Sequence, residues 1–237
     1  MQWKTTKAAM IVVALICSVT LLLLLPALDQ RRGGYPTRAD CKINLKQIGL
    51  SLHNYHEAWG AFPPAYIADE NGRPMHSWRV LLLPFLEQQD LYDQYDFNEP
   101  WDSPHNSQLA EQGSRFYGCL TRKRATGSSD VTTDYVAIVG PGAAFEEDVS
   151  RPIADFKDGP GDTVMVVELG ASDIHWMEPR DVEVRNVLPK PAAEHHGDGT
   201  HILFVDGRVR FLPSDIDPEL LRALITIDGG EEIPEDW

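Results

Sequence analysis

The chain has 237 residues, 43% of them apolar and 24% charged, proportions of a globular protein that exclude wholesale disorder and a multi-span membrane protein. Its formal net charge is -15, and since residues 1–28 hold Lys4 and Lys7 but no acid, the remainder has 19 basic against 36 acidic residues, a net of -17. Such an excess repels phosphate backbones and anionic headgroups, which excludes nucleic acid and peripheral membrane docking as leading partners and suits solubility, cationic partners or a divalent metal.

Ala8 to Leu28 is a run of 21 residues without a charged side chain, long enough at about 1.5 Å rise per residue to cross a hydrocarbon core of about 30 Å. Lys4, Lys7 and Ala27 also allow a cleaved secretory signal, but the run is longer than the apolar region of such signals and Leu25 is a poor residue three before the cut. Lipoprotein processing at Cys17 fits badly too, with bulky Ile16 before it and the cysteine in mid-run. The expected organisation is a cytoplasmic tail at 1–7, a transmembrane helix at 8–28, a linker at 29–36, an extracytoplasmic domain at 37–230 and an acidic tail at 231–237. Basic residues do not set the orientation, because Arg31, Arg32 and Arg38 balance Lys4 and Lys7. Cys41 and Cys119, the cysteines outside the run, are an even number that suits one disulfide in an oxidising compartment, or two buried thiols. A short amino-terminal tail needs no export, so a cytoplasmic amino end with the domain outside is the simpler topology.

Thr37 or Asp40 can cap a helix that Pro63 and Pro64 end. Within it Cys41, Leu45, Ile48, Leu52, Tyr55 and Trp59 recur every three or four residues, a narrow apolar stripe that must be buried. WRVLLL reads as an extended run ended by Pro84, followed by a short helix with Phe85, Leu86, Leu91 and Tyr95 inward. Residues 118–129 read as loop. DYVAIVG and TVMVVELG are strand-like. HILFVDGRVRF is the clearest hairpin, with Asp206-Gly207 as a two-residue type I′ turn. Asp217 and Pro218 start a last helix that Gly229 and Gly230 stop. Cys41 lies in register with Leu45 and Ile48, and Cys119 follows the aromatic pair Phe116-Tyr117, so a disulfide joining the two is expected.

CKINLKQIGLSLHNYHEAWGAFPPAY, WRVLLLPFLEQQDLYDQYDFNEPWDSPHN, DGPGDTVMVVELG, His196 followed after nine residues by Asp206-Gly207, and LRALITIDGGE occur in that order. Together they resemble the bacterial prepilin-like proteins of domain-of-unknown-function family 1559, with an H-x9-D-G carboxyl-terminal signature. The likeness spans Cys41 to Glu231. It implies an α+β, pilin-like fold similar to the G-type pseudopilins of type II secretion, in which an amphipathic helix continuing the transmembrane helix packs on an antiparallel sheet. It brings no known activity. Members of the family begin with a basic leader, a glycine cut site and Phe-Thr-Leu-Ile-Glu, whose glutamate helps subunits assemble. Here MQWKTTKAAMIVVALICSV has no glycine before an aromatic and no acid in the span, so an uncleaved anchor is the expectation.

Glu194, His195, His196, Asp198, His201 and Asp206 form the densest polar patch, and His195, His196, Asp198, His201 and Asp206 are candidate ligands for zinc or a similar ion. Their spacing matches no zinc motif, and a turn leading into the hairpin accounts for them equally. Asp155, Asp158 and Asp162, around Gly159 and Gly161, offer the oxygens that calcium prefers; G-type pseudopilins often bind calcium in a loop, and turn-forming aspartates are the alternative. Glu168 is either a buried partner or solvent-facing. No G-x-S-x-G, H-E-x-x-H, P-loop or dinucleotide fingerprint occurs. Trp78, Trp101 and Trp176 are packing residues or a sugar platform. The expected protein is not an enzyme and needs no cofactor. It is a single-pass inner-membrane protein that works as a structural or interaction component among other envelope proteins. The alternatives are a membrane-tethered ligand- or metal-binding module and, third, an envelope hydrolase.

Overall fold

The computed structural model describes residues 38–113, 116–118, 131–169, 172–187 and 199–234. The chain divides into two units, Met1–Thr37 and Arg38–Trp237, and every described residue belongs to the second. The expected tail, span and linker, together with Cys17, Cys119, His195, His196 and Asp198, lie outside the described residues. Among the described residues no helix is long and apolar enough to cross a membrane.

Helix α1 (Arg38–Trp59) forms where the stripe predicts it. Cys41, Leu45, Ile48 and Leu52 are buried, and full burial of a leucine or isoleucine contributes about 1.5–3 kcal/mol. The stripe fades toward the end: Tyr55 is half-buried and Trp59 is 71% exposed. Gly60, at φ +78°, stops the helix before Pro63, donating its N–H to His56 O at 2.8 Å. Trp59 therefore sits in a last turn beyond the core, beside Tyr55 with ring centroids 6.2 Å apart.

A small antiparallel hairpin follows, β1 (Tyr66–Ala68) and β2 (Pro74–Ser77). Its turn is held by Asp69, which accepts from the backbone N–H of Asn71 and Arg73, both at 2.8 Å. The extended run expected for WRVLLL is instead helical: α2 (Trp78–Leu81) and a 3-10 turn (Leu83–Leu86), then α3 (Gln89–Gln94). Ser77 supplies the N-cap, accepting from Arg79 N at 3.3 Å, and Pro84 falls at the start of the 3-10 turn, where its missing N–H costs nothing. An unbroken apolar run lacks the period that would have told helix from strand. Leu86, Leu91 and Tyr95 are buried as expected, with Phe85 partly so.

Helix α4 (Ala110–Gly113) leads toward the five-stranded sheet. Its strands are β3 (Tyr135–Val139), β4 (Val164–Glu168), β5 (Val182–Glu183), β6 (Gly199–Phe204) and β7 (Val209–Pro213). The order is β5-β3-β4-β6-β7, antiparallel except for β5, which runs parallel to β3 and leads into α5 (Val184–Val187). On one face Tyr135, Ala137, Met165 and Leu203 join Leu45, Ile48, Leu52, Trp78 and Trp176. On the other, Val136, Ile138, Val167, Ile202 and Phe204 join Leu221, Leu224 and Ile225, contributed by α6 (Pro218–Ala223) and the residues after it. Cover on both faces is why β3 and β4 read as continuous apolar runs rather than alternating ones. Gly49 lets α1 close onto β6, since a Cβ there would lie 2.8 Å from Leu203 Cδ1.

The β6–β7 hairpin is as predicted, but its turn is not. Phe204 accepts from Gly207 N at 3.0 Å and donates to Arg208 O at 2.9 Å, and of the loop residues only Gly207 has positive φ, +83°. The loop is the three residues Val205-Asp206-Gly207 with a glycine bulge, not a type I′ pair, which requires positive φ at Asp206 as well. At the far end Asp217 caps α6 as expected, accepting from Glu219 N at 2.7 Å.

Candidate functional site

The α2 cap aims Arg79 into the interior beneath β3, where its side chain has no exposed surface. All five guanidinium N–H groups find acceptors. Nε and Nη2 each lie 3.1 Å from Tyr135 O, Nη1 donates to Ser77 Oγ at 2.9 Å, and both terminal nitrogens reach the Asp181 carboxylate. Asp181 also accepts from Ala137 N at 2.7 Å and from Trp78 Nε1 at 3.0 Å. Tyr117 closes the arrangement by donating to Arg79 O at 2.7 Å. Burial pushes the Asp181 carboxyl above its ordinary value, opposed by the Arg79 charge and by the hydrogen bonds from Ala137, Arg79 and Trp78.

Asp181 also forms part of the wall of a cavity of about 710 Å³, with Tyr66 from β1, Gly140 just after β3, Glu147, Pro179 and Val184 among its other lining residues. That volume lies in the range of small-molecule sites, roughly 300–1,000 Å³. None of this was read from the sequence. The available signal was the lone arginine within WRVLLL, since an arginine is rarely buried without a partner.

A second buried pair joins β4 to β6: His201 Nδ1 lies 2.7 Å from Glu168 Oε2, and Thr200 Oγ1 donates to Glu168 O. Glu168 is thus a buried partner. Of the metal candidates, His201 is committed to Glu168, while Asp206 pairs with Arg208 Nε at 2.5 Å in the hairpin loop. Among the described residues no group of three or more His, Cys, Asp or Glu is placed to hold a metal ion. The expected calcium trio is not assembled either. Asp158 spends its two oxygens on the N–H groups of Gly230 and Gly229, both at 2.8 Å, and so fastens the carboxyl-terminal segment, while Asp155 lies on a 3-10 turn and Asp162 closes a turn back to Gly159 O at 3.1 Å. Trp78 and Trp176 offer no sugar platform. Trp78 and Trp176 have no exposed surface, and Trp176 donates to Ala110 O at 2.7 Å while stacking on Tyr117.

Residues 38–143 match the model of a family described as a protein of unknown function, DUF1559. Over that span the chain is similar to the DUF1559 family. The DUF1559 match runs from α1 through β3, so it contains Arg79, Tyr66 and Gly140 but not Asp181, and it stops before the His196-x9-Asp206-Gly207 spacing. No curated protein and no solved structure matches the chain.

Proposed function

We propose that this DUF1559-like protein is a single-pass inner-membrane protein of pilin-like plan, with its domain outside the cytoplasm, acting as a structural or interaction component of the cell envelope rather than as an enzyme. The observation that carries the reading is the packing of α1 on an antiparallel sheet, with α1 starting at Arg38 soon after the apolar run ends at Leu28. The 21-residue run supplies the anchor and its missing carboxylate favours an anchor that stays uncleaved. The disulfide between Cys41 and Cys119 belongs to the same proposal. Two observations support it: Cys41 is buried, and Asn44, one turn along α1, donates to the carbonyl of Gly118 at 3.3 Å.

Protease added to intact spheroplasts tests the topology. The reading requires digestion of the domain and a mature amino terminus before Ala8; protection of the domain, or an amino terminus at Leu28 or beyond, refutes it. Crosslinking in native membranes tests the role, and an envelope protein should be captured. The second reading, a tethered binding module, draws on the cavity beside Asp181.

A further inference from the structure

The cavity beside Asp181 has an uneven balance of charge. Arg180 is held by Glu178 Oε1 at 2.6 Å and Asp173 at 3.1 Å, Arg185 by Glu183, and Asp181 is spent on Arg79. Every arginine in or under the wall is therefore neutralised by a protein carboxylate. The Glu147 carboxylate is different: among the described residues no hydrogen bond or ion pair reaches it, although its backbone is anchored, its carbonyl accepting from Tyr66 N at 3.3 Å. Tyr66 lies close by, and its phenol is pushed up first by burial and then by the charges of Glu147 and Asp148, so both carboxylates act on the space around that ring. The rest of the lining includes Ala65, Val139, Pro141, Pro179 and Val184.

The walls are tied in place rather than left open by a mobile loop. Gly140 donates to Phe145 O at 3.0 Å and accepts from Ala143 N at 3.0 Å, Glu146 is paired with Arg151, and Val149 donates to Glu146 O at 2.9 Å. Gly140 sits at φ +152°, where a Cβ would lie 3.2 Å from Val184 Cγ2, so a side chain there would crowd the opposite wall. A firm recess with an apolar lining, an aromatic ring and one unspent carboxylate has the elements that select a cation carried on a hydrocarbon stem.

We infer that this cavity binds a small organic cation, an alkyl ammonium seated between the Glu147 carboxylate and the Tyr66 ring with its stem along Val139, Pro179 and Val184. The inference is independent of where the chain resides, so it stands or falls apart from the envelope reading. An anion is disfavoured because each arginine is already satisfied, and a purely apolar ligand would make no use of the Glu147 charge at the rim.

The test is a titration of the full chain in detergent with 1,5-diaminopentane, followed by calorimetry at low and moderate salt. The native protein should bind one equivalent saturably, Glu147→Gln should weaken binding at least tenfold, and Glu219→Gln, an exposed acid on α6, should leave it unchanged. Pentane-1,5-diol and pentanedioate should not bind. Absence of saturable binding to the native chain overturns the inference, as does equal loss in both variants, which would reduce the effect to general attraction by an acidic protein. If Glu147→Gln lowers the melting temperature, the diamine and diol on the native chain decide the same point: equal binding of the two refutes a cation site.

Discussion

Truncating Asp181 tests whether the buried pair is structural cement or a replaceable convenience. In Asp181→Ala the Arg79 guanidinium keeps its hydrogen bonds to Ser77 and Tyr135 but loses its counter-charge at full burial, a change that costs about 3–5 kcal/mol. Ala137 N–H and Trp78 Nε1–H lose their acceptor as well, at about 1–3 kcal/mol each if they stay dry. The single variant should therefore fall by at least about 5 kcal/mol, a large part of the 5–15 kcal/mol typical of a domain. In Arg79→Met with Asp181→Leu the unpaired charge is gone. Tyr135 O keeps a donor in Thr133 Oγ1 at 2.9 Å, so two orphaned donors remain and the loss should be about 2–6 kcal/mol. The double variant is thus expected to be no less stable than Asp181→Ala, yet clearly weaker than native. Urea unfolding followed by tryptophan fluorescence measures all three, with Trp78 itself a reporter. A double variant within about 1 kcal/mol of native would refute the claim that these hydrogen bonds, and not only charge neutrality, require the pair.

Stability should fall on mild acidification. Burial lowers the pKa of His76 and of His175, and a group depressed in the folded state supplies stability that is present above its unfolded value of about 6.5 and lost as pH falls through the folded value. His76 is fully satisfied when neutral, with Nε2 3.1 Å from Phe97 O and Nδ1 2.9 Å from Tyr95 OH, so melting temperatures that stay flat from pH 7.5 to 5 would contradict this account. Reductant should lower the melting temperature, since closing the loop between Cys41 and Cys119 is worth roughly 4 kcal/mol in the chain-entropy model; two free thiols by mass spectrometry in oxidised protein would end the disulfide proposal. Gly113→Ala should cost about 1–3 kcal/mol by overpacking, because its Cβ would stand 2.5 Å from Trp176 Cζ2 and 2.7 Å from Leu91 Cδ2; unchanged unfolding would mean that the Trp176 pocket yields without cost.

What was legible in the sequence is what neighbouring residues decide among themselves. The Cys41 to Leu52 stripe, β3, β4, the β6–β7 pairing and the Asp217-Pro218 start all follow from periods and caps a few residues long. Failures came where the deciding term is distant or conformational. Trp59 falls in the right phase but lies past the core, and Asp206-Gly207 has turn chemistry whose class depends on the φ of Asp206. Arg79 and Asp181 are 102 positions apart, so the centre of the site is invisible to any local pattern. The two-residue β5 is too short to carry a period at all.

The seat of α1 also dictates an order of events. Its buried stripe lies against β6, where a Cβ on Gly49 would stand 2.8 Å from Leu203 Cδ1 and 3.7 Å from Gly207 Cα, so the first helix of the domain lacks its sheet partner until the polypeptide about 150 residues later has emerged, and before then meets only nearer segments such as the Leu83–Leu86 turn. Contacts so far apart in sequence are slow to close, and apolar surface left waiting invites aggregation. A chain delivered amino end first must carry that sticky stripe only partly sheltered until its carboxyl-terminal hairpin arrives, which makes the domain a natural client for a holding chaperone during its biogenesis.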